Sequence, residues 1–178
     1  MPEETVINRR TVYDGRAFRV RVDTIKKPDG KTTTRDIVEH SNCVCVVVLD
    51  EDGQVVLVRQ YRHAVGRALL EIPAGGIDPG ESPADCVRRE LQEEIGYIPA
   101  NIEDLGGFYA APGYSSEYLH LFLATGLTRS RLTAEDTDEI EVVRKPLGQV
   151  PDLIASGEIQ DAKSIAGLLR FICLGRKE

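Results

Sequence analysis

The chain has 178 residues, 42% apolar and 29% charged, which excludes a disordered chain and suffices for one domain with its own core. Acidic residues number 29 against 22 basic, a formal charge of −7, which argues against a nucleic-acid partner gripped through its phosphates. The longest apolar run, Cys43 to Leu49, falls far short of the roughly 20 residues a membrane helix needs, so no membrane partner is expected.

Phe18, Val20 and Val22 alternate with Arg19, Arg21 and Asp23, the period of a half-buried strand. Pro28-Asp29-Gly30 supplies a turn, and Thr32 to His40 reads as the returning strand. Cys43 to Leu49 is continuous and β-branched, which predicts a strand buried on both faces. After a turn at Asp52-Gly53, Val55 to Tyr61 returns. The period then changes. Ser82 can cap a helix, Pro83 suits its first turn, and Gly96 suits the position past its end. Between them Ala84, Val87, Leu91 and Ile95 keep the helical spacing of three and four.

Strand patterns resume near Leu105 to Ala110, at Tyr118 to Ala124 and at Ile140 to Val143. A helix is expected from about Leu147 to Ala155, ending at Gly157. Another should begin after Asp161 with Ile165, Leu168, Leu169 and Ile172 turned inward. The expectation is a mixed α/β layered domain with an N-terminal appendage: residues 1–40 as a β-hairpin and dimerisation segment, 41–178 as the main domain. The first residues carry no basic-then-apolar leader, and Cys43, Cys45, Cys86 and Cys173 form no CxxC pair. Reduced thiols in the cytoplasm are therefore expected.

The chemistry is concentrated in Gly75 to Tyr97, GGIDPGESPADCVRRELQEEIGY. Its helical half places Glu90, Glu93 and Glu94 at offsets of three and four, on one face. Like charges so placed repel by roughly a few tenths of a kcal/mol per pair, and a plain solvated face would intersperse lysines. Hard oxygen ligands gathered this way suit Mg²⁺ or Mn²⁺. Arg89 can pair with Glu93, four residues on, or with Glu81, pinning the loop to the helix. An ordinary amphipathic helix with an acidic outer face is the rival reading of the helix taken alone.

The loop decides between them. The segment resembles the box of the Nudix hydrolase family: glycine, five residues, glutamate, seven residues, Arg-Glu, a bulky apolar residue, one residue, Glu-Glu, one residue, glycine and a bulky apolar residue. Those positions are Gly75, Glu81, Arg89, Glu90, Leu91, Glu93, Glu94, Gly96 and Tyr97, the last where an aliphatic residue is more usual. Seven fixed identities match by chance roughly once in 10⁸ starts or fewer. The resemblance implies a Nudix-type α/β/α sandwich with an N-terminal antiparallel sheet. It also implies an enzyme that hydrolyses a nucleoside diphosphate linked to another group with the help of a divalent metal. Glu90, Glu94 and the carbonyl of Ala74 would hold the metal, with Glu93 close by. Gly75, Glu81, Arg89 and Gly96 would frame the box.

Beyond the box the chain resembles the ADP-ribose pyrophosphatase branch. Val58-Arg-Gln-Tyr-Arg62, Leu70-Glu-Ile-Pro-Ala-Gly75, Pro112 and Gly157-Glu-Ile-Gln-Asp161 carry the likeness. It implies Mg²⁺-dependent cleavage of ADP-ribose or a related ADP-sugar to AMP and a sugar phosphate. Another nucleotide sugar such as GDP-mannose is the alternative, and a nucleotide-sugar sensor is the rival of a different class. The expected substrate residues are Arg35, Arg62, Glu71 and Pro112, with Glu117 as a further metal or water ligand. In the acidic run Glu135-Asp-Thr-Asp-Glu139, Asp138 is favoured to act on the attacking water, with Glu139 and Asp136 as alternatives. A homodimer is expected, in which the N-terminal segment brings Arg35 to the partner's pocket.

Overall fold

A computed structural model describes residues 4–133 and 139–175. The chain falls into two compact units, one reaching to Asn42 and including Tyr109–Tyr118, the other comprising Cys43–Phe108 and the chain from Leu119 onward.

The first unit is a three-stranded antiparallel sheet of β1 (Thr5–Asp14), β2 (Phe18–Lys26) and β3 (Thr32–His40), with β2 in the middle. The hairpin expected from the alternation is β2–β3. Its turn closes through Gly30 N–H to the Lys27 carbonyl at 2.9 Å. β1 was not legible in the sequence, and its register shows why. Shifts between Val6 and Asn8 and between Thr11 and Tyr13 break the two-residue period. Asp23 is buried in this sheet and pairs with Arg21 at 2.9 Å and Arg9 at 3.7 Å. The Tyr114 carbonyl accepts from Val38 N–H at 2.7 Å, and Ser116 N–H donates to the Val38 carbonyl at 3.0 Å, so this loop continues the β3 edge.

The second unit is built on β4 (Cys43–Val48), every residue of which is buried. It pairs in parallel with β9 (Tyr118–Arg129) and antiparallel with β7 (Ala74–Gly76). With β8 (Tyr97–Tyr109) on the far side of β9 these make a four-stranded mixed sheet. A second, antiparallel sheet has β5 (Gln54–Arg62) between β6 (Arg67–Glu71) and β10 (Glu141–Pro146).

The helices are α1 (Pro83–Glu94), α2 (Val150–Ala155) and α3 (Ala162–Leu174). The alternation of β4 divides the core. Cys43, Cys45 and Val47 pack in the cluster that holds Leu153 of α2 and Leu168 of α3. Val44, Val46 and Val48 pack in the cluster that holds Val87 and Leu91 of α1. Helices on both faces of a sheet make the expected α/β/α arrangement. Among the described residues no helix is long and apolar enough to cross a membrane.

Some boundaries differ from expectation. β8 starts at Tyr97, immediately after the helix, rather than near Leu105. β6 and β7 are short and unalternating and were not anticipated. Leu169 was expected inward but is 39% exposed, because the buried stripe of α3 runs through Ser164, Gly167 and Leu168.

Candidate functional site

The helix α1 starts as its sequence predicts. Ser82 Oγ accepts from Asp85 N–H at 3.2 Å, satisfying one of the free donors of the first turn. At the other end Gly96 takes φ +76°, the left-handed conformation that releases the chain directly into β8. Val87 and Leu91 face the core, which turns Glu90, Glu93 and Glu94 toward β7 and the loop that follows it. Glu90 and Glu94 are themselves buried, so this is not the solvated acidic face of the rival reading.

Arg89 organises the loop. Its Nε and Nη2 donate to the two oxygens of Glu81, each at 2.9 Å, a bidentate pair. Nη1 reaches Glu90 Oε1 at 2.7 Å and Glu93 Oε2 at 3.2 Å, and Nη2 also reaches the Gly76 carbonyl at 2.9 Å. Glu81 Oε2 accepts from Asp78 N–H at 3.0 Å. Both partners foreseen for Arg89 are thus engaged at once. The guanidinium holds the Glu81 carboxyl far below the usual carboxylate range, at about 2.

The two buried carboxyls behave in the opposite way. Burial, then the neighbouring Glu90 charge, push Glu94 up to about 8, although Ala74 N–H donates to its Oε2 at 3.1 Å. Burial also raises Glu90, against the pull of Arg89. Gly75 is required here by space: a Cβ on it would fall on the Glu90 carboxylate. Two desolvated carboxyls therefore lie against the Ala74–Gly75 backbone with too little positive charge to match them. Hard oxygen donors in that condition fit a divalent cation, which would stabilise both ionised forms.

A second group of charges flanks the same segment. Arg62, at the end of β5, donates from Nε to Glu71 Oε1 at 2.9 Å and from Nη2 to Glu71 Oε2 at 2.7 Å. Glu71 is 1% exposed, whereas the Arg62 side chain is 40% exposed. Lys163 of α3 also donates to Glu71 Oε2, and donates to Asp161 Oδ2 at 2.9 Å. Burial would raise the Glu71 carboxyl, but its bonds to Arg62 and Lys163 outweigh that and lower it. Asp161 caps α3 by accepting from Ser164 N–H at 3.0 Å, and Ser164 Oγ accepts from Ile72 N–H at 2.8 Å. Lys163 and Ser164 were missed in the sequence. Lysine in a first helical turn, where the dipole disfavours a cation, is the signal that marks Lys163.

Of the remaining expected site residues, Arg35, Pro112 and Glu117 belong to the first unit. Arg35 Nη2 donates to Glu4 Oε1 at 2.6 Å, and Glu117 lies 3.9 Å from His40 Nδ1. Pro112 is in the turn before Tyr114. Glu139 is exposed just ahead of β10, while Asp136 and Asp138 lie outside the described residues.

Comparison with known proteins gives two family models. One, described as NUDIX domain, matches residues 39–168, and one described as nucleoside diphosphate sugar hydrolase N-terminal domain matches residues 4–38. The ADP-ribose pyrophosphatase of Bacillus subtilis (strain 168) is 35% identical over 164 residues, covering 91% of this chain and 89% of that protein. The ADP-ribose pyrophosphatase of Mycobacterium tuberculosis (strain ATCC 25618 / H37Rv) is 36% identical over 166 residues, covering 92% and 80%. A crystal structure of ADP compounds hydrolase superposes with a TM-score of 0.89 at 25% identity, over 97% of this chain and 94% of that one.

Proposed function

The chain belongs to the Nudix family, and from that premise we propose that it is a pyrophosphohydrolase cleaving the diphosphate of ADP-ribose or a related ADP-sugar to AMP and a sugar phosphate. The observation that carries the reading is the pair of buried carboxyls, Glu90 and Glu94, held against the Ala74–Gly75 backbone beside Arg62. Glu90, Glu93, Glu94 and the Ala74 carbonyl would hold Mg²⁺, or Mn²⁺ in its place, with Glu117 as a further ligand. A cation held there would polarise the diphosphate and make a water more acidic.

The chain's own residues do the rest. Arg62 meets the substrate's diphosphate through its exposed guanidinium, and Glu71 holds Arg62 in place from behind. Asp138 takes the proton as the water oxygen bonds to phosphorus and the bridging P–O bond breaks, with Glu139 or Asp136 as the alternative carrier. Gly75, Glu81, Arg89 and Gly96 are structural: they hold the loop and leave Glu90 and Glu94 facing the reaction. Pro112 borders the terminal ribose. Residues 1–40 form the appendage through which two copies join as a homodimer, each lending Arg35 to the other's pocket, and 41–178 form the hydrolytic domain. The enzyme works in the cytoplasm.

A sensor would gain little from crowding Glu90, Glu93 and Glu94 together. The deciding experiment incubates the protein with Mg²⁺ and ADP-ribose, ADP-glucose, GDP-mannose or NADH at matched concentration. AMP released fastest from ADP-ribose or ADP-glucose supports the reading. Preference for GDP-mannose moves the substrate to another nucleotide sugar, and binding without any turnover overturns the hydrolase reading.

A further inference from the structure

We propose that Lys163 is a positioning residue: from the first turn of α3 it fixes Glu71, and through Glu71 the guanidinium of Arg62, in the orientation that receives an anionic substrate. The inference rests on the reading of Arg62 as the grip on the diphosphate.

The anchoring of α3 does not need a lysine. Asp161 caps the helix, Ser164 Oγ ties it to Ile72 N–H, and Leu168 fills the core. A cation in the first turn works against the helix dipole, and burying most of the Lys163 side chain has its own cost. What Lys163 does is join Glu71 and Asp161, both of which its Nζ contacts.

Charge explains the consequence. Glu71 Oε2 receives both Lys163 Nζ and Arg62 Nη2, so one buried carboxylate is shared between two cations. Asp161 balances the ammonium. Without Lys163 the group becomes one guanidinium against two carboxylates, a net negative cluster where a diphosphate must approach. The same loss frees Glu71 to rotate about its remaining partner. Arg62 would then be both electrostatically cancelled and less well aimed, which weakens substrate binding before it affects the chemical step.

A double-mutant cycle on the full chain tests this, with ADP-ribose as substrate and Mg²⁺ saturating. Lys163→Met, close in volume and without charge, should raise KM about tenfold and leave kcat within about twofold. Lys163→Arg should restore most of the lost KM. In an Arg62→Ala background, Lys163→Met should add little further, because its path to the substrate is already gone. Calorimetric Mn²⁺ binding without substrate should be the same for Lys163→Met and the parent. A KM effect of equal size in both backgrounds, or a weakened Mn²⁺ affinity, overturns the proposal, since either means a general disturbance of the fold. An Arg62→Ala chain with unaltered KM instead overturns the reading of Arg62 itself. Should Lys163→Met fail to fold, Lys163→Gln, which also removes the charge but keeps a polar end, goes through the same cycle with the same criteria.

Discussion

The Glu94 carboxyl is buried, accepts one backbone N–H from Ala74 and lies in the field of Glu90. Its pKa in the folded chain, about 8, lies above the 4.5 of a free glutamate. The folded metal-free protein therefore keeps a proton that the unfolded chain has released. That contribution to stability is full below about 4.5 and is lost as pH rises through about 8. Urea unfolding in EDTA should accordingly show stability falling from pH 5 toward pH 8, and Glu94→Gln should flatten the fall. The same variant should fold, because glutamine keeps shape and helix propensity, yet lose at least about a hundredfold in turnover. Near-normal turnover at limiting Mg²⁺ would remove Glu94 from the ligand set. The acidic run gives a separate expectation. Asp138→Asn should lower kcat much more than it raises KM, because the group acts on water in the transition state. An unaffected Asp138→Asn beside a crippled Glu139→Gln would move the role by one residue.

The elements that were legible are those whose pattern matches one period without interruption. Cys43–Val48 reads as a strand with two buried faces because each face has a helix layer over it. The helix α1 reads from both ends because Ser82 and Gly96 carry its caps. Removing the first of these, Ser82→Ala, should cost about 1 kcal/mol in chemical denaturation. Leu91→Ala, in the middle of the same helix and fully buried, should cost about 2–5 kcal/mol. What escaped the sequence has equally physical causes. β1 is interrupted by register shifts, and β7 is three small residues whose pairing with β4 comes from the sheet. The shared face of Glu90, Glu93 and Glu94 follows from helical spacing, whereas the Arg89–Glu81 clamp was only one of two pairings open to Arg89. The link from Arg62 to Lys163 joins positions far apart in the chain, which no local pattern can reveal.

Taken whole, the molecule leaves β1 exposed along its length, with Val6, Ile7, Val12 and Tyr13 uncovered. A second copy is the expected cover, so light scattering should give about twice 19.7 kDa. Mixing an Arg35→Ala chain with a Glu94→Gln chain should then restore some activity, since one site of the mixed dimer would have both residues intact. A monomeric mass for an active enzyme would sink the exchange. The parallel pairing of β4 with β9 has a further consequence, for biosynthesis. Cys43 pairs with Leu119, so the strand Cys43–Val48 leaves the ribosome long before its central neighbour exists. At roughly 5–20 residues per second, the nascent chain carries an uninterrupted apolar strand for several seconds with neither face layered. β5 can fold back early, and α1 can shield one face once it is made, but the sheet closes only when β9 emerges. Chain arrested before β9 should therefore be captured by chaperones that hold extended apolar segments, and release should await the emergence of α3, which covers the second face of β4.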